Sequence, residues 1–189
     1  MPAPDPGLRA PLQPSLTGEV DAAGLIWKEG AFRRDPWRPC PVGGELGASP
    51  VLLDKARWAA ERARLLSRPA PIGLSLAGGD GVDDIAADLT RFALITLNFA
   101  KFSDGRAFST ARLLREKYGY GGELRAVGNV LSDQIPFMRR VGFDAFEVHH
   151  APTRRALSED RIAEVGLYYQ PIGSAPGPGT RAWLRSSVG

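Results

Sequence analysis

Phe99-Ala-Lys-Phe-Ser-Asp-Gly-Arg-Ala-Phe-Ser-Thr-Ala-Arg-Leu-Leu-Arg, residues 99–115, leads on to Gly122-Glu-Leu-Arg-Ala-Val-Gly-Asn-Val-Leu-Ser-Asp-Gln, residues 122–134. In each stretch an apolar run ends in polar and glycine residues, and a helical pattern follows. Ile72–Leu76, Ala93–Phe99, Glu123–Val127 and Ala145–His149 read as strands. Strands alternating with helices of about ten residues predict βα units and a mostly parallel sheet. In such a sheet ligands sit outside the carboxyl ends of the strands.

Working outward, Leu53–Leu66 predicts a helix, with Ala56, Ala59, Ala60, Ala63 and Leu66 at helical spacing. Gly78-Gly-Asp-Gly is a turn after the first strand, and Asp83–Leu89 a short helix. Ser109 is the expected cap of the next helix and Gly119 its left-handed end. A further helix ends near Gly142, capped by Asn129 or by Asp133; with Asp133, Pro136 falls in the first turn, where it forfeits no backbone bond. Ser158–Val165 reads as a last helix.

The fold class expected is α/β: an open, doubly wound, mostly parallel sheet of about four to five strands with flanking helices. A partial β/α barrel is the alternative, since a full barrel typically takes ~250 residues. Residues 1–20 form a Pro/Ala/Gly-rich arm expected to be disordered, residues 21–172 one α/β domain, and residues 173–189 a flexible tail. The domain opens on a small hairpin, Gly24–Arg34, turning at Glu29-Gly30, and Pro39–Pro50 links the hairpin to the main body.

The chain has 189 residues, 43% of them hydrophobic, which suits one domain with a real core. Its formal charge of +3 comes with acids interspersed among the bases, as in Arg115-Glu116-Lys117, so no nucleic-acid stripe is expected. The single cysteine, Cys40, excludes an internal disulfide. No run approaches the ~20 apolar residues of a membrane span. Without a signal-peptide pattern at its start, the chain is expected in the cytoplasm.

The candidate site lies at the carboxyl edge of the sheet. Arg106 can clamp an anion in bidentate fashion, with Lys101 as a second point charge and the helix starting near Ser109 adding positive potential. Ser103 and Asp104 share that turn, and Asn129, Asp133 and Gln134 follow the next strand at the same edge. The expected ligand is therefore a small oxyanion. His149 and His150, adjacent on one strand, would point to opposite faces, so no metal site is expected. Gly78-Gly-Asp-Gly lacks the spacing of a nucleotide loop.

Lys101-Phe-Ser-Asp-Gly-Arg, Ser109-Thr-Ala-Arg-Leu-Leu-Arg, Gly122-Glu-Leu-Arg-Ala-Val-Gly-Asn-Val-Leu, Asp133-Gln134 and Arg140-Val-Gly-Phe-Asp-Ala-Phe together resemble one bacterial domain-of-unknown-function family. That family often carries the label of a probable oxidoreductase of sulfite reduction and is encoded beside assimilatory sulfite reductase. The resemblance spans about Leu74 to Tyr169. It departs from the family pattern at Ser132, Val141 and Asn129. It implies a bacterial protein of sulfate assimilation and cysteine biosynthesis, either an oxidoreductase or an electron-supply accessory, with the sulfite reductase haemoprotein as partner. A non-catalytic assembly or regulatory partner of sulfite reductase is the alternative, and an oxyanion binder outside redox chemistry a third reading. No cofactor is assigned.

Overall fold

The computed structural model describes residues 24–100 and 105–162. The chain opens on a hairpin, β1 (Leu25–Lys28) and β2 (Ala31–Arg34). Glu29 (φ 52°) and Gly30 (φ 76°) turn it with both central residues left-handed, the geometry that matches strand twist in a two-residue hairpin. There follow β3 (Arg38–Pro39), β4 (Val51–Asp54), α1 (Lys55–Leu66), β5 (Ile72–Ala77), a 3-10 helix (Asp83–Arg91) and β6 (Phe92–Phe99). Then come α2 (Arg106–Glu116), β7 (Glu123–Gly128), α3 (Ile135–Arg140), β8 (Ala145–Phe146) and α4 (Ala151–Ser158).

Among the described residues the strands form one mixed sheet of eight, in the order β2-β1-β8-β7-β6-β5-β4-β3. Strands β3 to β8 are parallel and lie side by side in chain order, and the hairpin adds antiparallel to β8. The outermost strands, β2 and β3, are joined by Asp35, Pro36 and Trp37 alone. Eight strands at about 4.8 Å spacing would hold the edges of a flat sheet roughly 34 Å apart, whereas the virtual bonds from Arg34 to Arg38 reach at most about 15 Å. The sheet must therefore curl, and it forms a half-barrel.

Strand alternation separates two faces. Leu53, Leu74, Leu76, Ile95, Leu97, Phe99, Leu124 and Ala126 point outward into one core with Trp58 and Leu65 of α1, Ile85 and Leu89 of the 3-10 helix, Ala107, Ala111 and Leu114 of α2, and Ile135 and Met138 of α3. All crossovers thus cover the convex face, as right-handed connections between consecutive parallel strands require. The concave face carries Gly73, Ser75, Leu94, Thr96, Asn98 and Arg125. The Asp35–Trp37 link crosses this side: a Cβ on Gly73 would lie 3.1 Å from the Trp37 ring, and Arg125 pairs with Asp35 at 2.7 Å.

Several expectations change. The half-barrel is the partial-barrel alternative, and the sheet has eight strands rather than four or five; β3 and β8 hold two residues each, and the end of β4 takes up Leu53 and Asp54, where the sequence predicts the start of a helix. Because strand order never reverses among the parallel strands, the sheet is not doubly wound. The linking stretch Pro39–Pro50 is held in place, for Arg57 donates to the carbonyls of Cys40, Pro41 and Gly44 and Arg68 to those of Leu46, Gly47 and Ser49. In α1 the buried residues are Arg57, Trp58 and Leu65, whereas Ala56, Ala59, Ala60, Ala63 and Leu66 are exposed. Two large side chains and a loop-binding guanidinium bury more than an alanine stripe does. Ser158 ends α4 rather than starting a helix, and residues 163–165 lie outside the described residues. Helix α3 begins after Gln134, so neither Asn129 nor Asp133 is its cap, and Pro136 sits in its first turn without losing a backbone bond.

Candidate functional site

The carboxyl ends of β4, β5 and β6 open on a cleft of about 620 Å³. Its polar lining is Asp54, Lys55, Ser75, Asp80, Asp84 and Asn98. Smaller hollows of 390 and 430 Å³ lie beside Gly43, Gly44 and α1, and at the opposite strand edge beside Lys28 and Glu123. The carboxyl-end cleft is where a β/α half-barrel places its functional groups, because loops from successive strands converge there.

Each lining residue has a local reason for its position. Asp54 ends β4 and caps α1, its Oδ1 accepting the Arg57 N–H at 2.6 Å. Asp80 folds the turn after β5 by accepting the Ala77 N–H at 2.8 Å. The Lys55 ammonium bridges that turn, donating to the Gly81 carbonyl at 2.7 Å and pairing with Asp84 at 2.8 Å. Among the described residues Lys55 is matched by Asp84, and Asp54 and Asp80 add two further carboxylates to the lining.

Arg106, at the start of α2, lies over the same turn. A Cβ placed on Gly79 would stand 2.6 Å from its Nη1, so glycine gives the guanidinium its seat. The helix N-cap is Gly105, which has no side chain to accept from the first backbone N–H groups of α2. On the far side of β6, Gly128 at φ 89° brings the β7 turn against Asn98: a Cβ there would be 2.5 Å from Asn98 Oδ1 and 2.8 Å from the Phe99 carbonyl oxygen. The next residue, Asn129, donates its N–H to that carbonyl at 2.9 Å.

Arg106 and Asn129 therefore stand at one edge of the sheet. Lys101, Ser103 and Asp104 lie outside the described residues. Ser109 is not a cap; it sits exposed within α2, because the helix is capped four residues earlier, at Gly105. Gln134 folds back on its own loop, its Oε1 accepting the Leu131 N–H at 3.4 Å, and Asp133 is exposed. Sequence reasoning missed Asp54, Lys55, Ser75, Asp84 and Asn98. The available signal was position, for Asp54, Ser75 and Asn98 all end or nearly end strands.

Other candidates acquire plain structural roles. Arg115 donates to the carbonyls of Tyr120, Gly122 and Gly142 and pairs with Asp144 at 2.6 Å, tying α2 to the β7 and β8 entrances. The two histidines lie past the end of β8: His149 pairs with Glu147 at 2.7 Å, and His150 precedes α4 with its Nδ1 2.9 Å from Thr153 Oγ1. Cys40 is buried between the Glu45 carbonyl and Arg57. Among the described residues no three His, Cys, Asp or Glu side chains gather as a metal site would require. No described helix is long and apolar enough to cross a membrane.

No curated protein matches the chain. A family model does match, over residues 73–179. That span holds Ser75, Asn98, Arg106 and Asn129 and leaves out the hairpin, the Asp35–Trp37 link and α1 with Asp54 and Lys55. Since it covers more than half of the chain, the protein belongs to the family described as bacterial protein of unknown function (DUF934).

Proposed function

We propose that the protein binds a small oxyanion at the carboxyl edge of its half-barrel and serves assimilatory sulfite reduction as an accessory to the sulfite reductase haemoprotein. The observation that carries the binding reading is the position of Arg106 over Gly79, at the start of a helix whose N-cap is a glycine. A guanidinium offers five donors in a rigid fork, and helix N–H groups add partial positive charge, so both favour a tetrahedral or pyramidal oxyanion. Sulfite and sulfate are the candidates because the sequence resembles a family tied to that pathway.

The accessory role is supported by what the described side chains offer. Multi-electron chemistry is carried by cofactors. Cys40 is already engaged with Arg57 and Glu45, and the histidines are held by Glu147 and Thr153. A partner that brings its own redox centre fits this inventory. Arg112, exposed and paired with Glu116, remains on the outer face of α2 for docking, whereas Arg115 is committed to internal carbonyls. Charge on such a face chiefly speeds encounter and sets orientation.

Calorimetric titration with sulfite and sulfate tests the binding reading. Arg106→Ala should cost about 1.5–3 kcal/mol of binding, the value of a charge-assisted contact. No binding by the native chain, or equal binding by Arg106→Ala, overturns it. Co-purification with sulfite reductase at low and moderate salt tests the accessory role. A flavin or haem in the isolated chain, with full sulfite-linked activity and no association, overturns that part.

A further inference from the structure

We propose that the outer edge of β2 is a docking strand for an extended acidic segment of another protein, which adds to the sheet beside it. Neither Arg106 nor the carboxyl-end cleft takes part, so the proposal stands apart from the oxyanion reading.

In an antiparallel pair, residues that exchange hydrogen bonds alternate with residues that do not. Asp35 donates its N–H to the Gly24 carbonyl at 2.8 Å, and the hairpin register sets Leu25 opposite Arg34, Ile26 opposite Arg33 and Trp27 opposite Phe32. Ile26–Arg33 is therefore a bonded pair like Gly24–Asp35, whereas Phe32 and Arg34 turn their N–H and C=O groups away from β1. β2 is the last strand on its side of the sheet, and among the described residues no backbone group pairs with that edge. Ala31, Arg33 and Arg34 are exposed and Phe32 is half-buried, so the edge is open to solvent.

Side chains select the occupant. Phe32 and Arg34, two apart, share one face of the strand, and Phe32 packs edge-on against Trp27 of the convex core. Arg154 of α4 stacks over the Phe32 ring at 4.4 Å, its Nη1 donating to the Val148 carbonyl. Arg34 has no side-chain partner among the described residues. Two guanidiniums thus stand on the convex side of this edge without a carboxylate. On the other side Arg33 is already paired with Glu29 at 2.9 Å. An incoming strand with carboxylates at alternate positions, all on the convex side, would meet both cations. A second copy of the chain is the wrong occupant, because β2 against β2 gathers Arg33 and Arg34 of both copies at one interface. Edge arginines commonly prevent such self-pairing. In strand addition the main chain supplies affinity and the alternate side chains supply selectivity.

The probe is a blocked, fluorescently labelled peptide of four Glu-Val repeats, titrated into the full chain at low and moderate salt. Anisotropy should show saturable binding that weakens as salt rises. The matching Lys-Val peptide should not bind. A Glu-Val peptide N-methylated at every residue, which keeps the charge and removes the donors, should not bind either. Arg34→Ala should weaken the Glu-Val peptide about ten-fold, the loss of one charge-assisted contact. Arg34→Pro should weaken it further, because proline also deletes the outward N–H while leaving every bond to β1 in place. Arg64→Ala, an equal loss of charge on α1, is the control and should stay within about two-fold of the native chain. No binding of the Glu-Val peptide overturns the proposal, as does equal binding of its N-methylated or Lys-Val forms, or the same affinity in Arg34→Ala as in Arg64→Ala. Sulfite and sulfate titrations of Arg34→Ala should match those of the native chain, which separates this edge from the oxyanion reading.

Discussion

Arg125 and Asp35, ninety positions apart, meet at 2.7 Å on the concave face of the sheet, with the arginine side chain 1% exposed. The guanidinium also donates twice to Glu123 Oε1, from Nε at 3.0 Å and Nη2 at 2.8 Å. Asp35 in turn accepts the Trp37 N–H at 3.2 Å. One buried cation thus anchors the three-residue link that joins the two outermost strands.

Removing one partner of a buried pair leaves the other charge uncompensated. Arg125→Leu is expected to lower stability by about 3–5 kcal/mol, measured by urea unfolding. Arg112→Leu, on an exposed pair, should cost no more than about 0.5 kcal/mol. Similar midpoints for the two variants would show that the link does not need its anchor.

Gly128→Ala should destabilise by about 1–3 kcal/mol, from a strained backbone and overpacking together. The added methyl at φ 89° would press on Asn98 Oδ1 and on the Phe99 backbone, which cannot yield as a side-chain tip can. A Cβ on Gly81 meets nothing within 4 Å, so Gly81→Ala is the control, neutral or stabilising by about 0.4–1 kcal/mol. Differential scanning calorimetry on both variants checks the contrast.

Thr96→Val should raise stability by about 1–2 kcal/mol, because it deletes a buried hydroxyl without a partner and keeps the shape of the side chain. A lower urea midpoint would mean that the hydroxyl contributes to the fold instead.

The Lys28–Glu123 pair, 2.8 Å apart, makes stability depend on pH at both extremes. Burial pushes the Glu123 carboxyl up, but the hydrogen bond from Lys28 and the charge of Arg125 outweigh it and hold the group below the usual carboxylate range. A group depressed in the folded state adds stability above its ordinary value of about 4.3, and this is lost as pH falls through the folded value. The hydrogen bond to Glu123 raises Lys28 above its ordinary value, so its contribution is full below about 10.4 and lost as pH rises through the folded value. Unfolding midpoints across pH should therefore show both shoulders, and Glu123→Gln should reduce each. An unchanged profile in that variant would assign the shoulders to other groups.

Local chemistry in the sequence was enough to specify β5, β6, β7, the hairpin turn and the mostly parallel pairing. Those strands are six to eight residues of apolar pattern bounded by turn residues, and Glu29-Gly30 has the composition a tight turn needs. The same reading located an edge where Arg106 and Asn129 both stand. Only the tertiary structure decided that eight strands curl in chain order, because β3 holds two residues and is a strand only through its neighbour, and the strand expected over Ala145–His149 pairs only at Ala145–Phe146. It also decided which side of α1 is buried, since Arg57 is drawn inward by carbonyls seventeen to thirteen residues upstream that no helical pattern records. The cleft belongs to the same class of fact. Ser75 and Asn98 read as strand residues along the chain, and they line a common hollow because parallel pairing and the alternating pleat put them on one concave side, a relation between strands that no single strand contains.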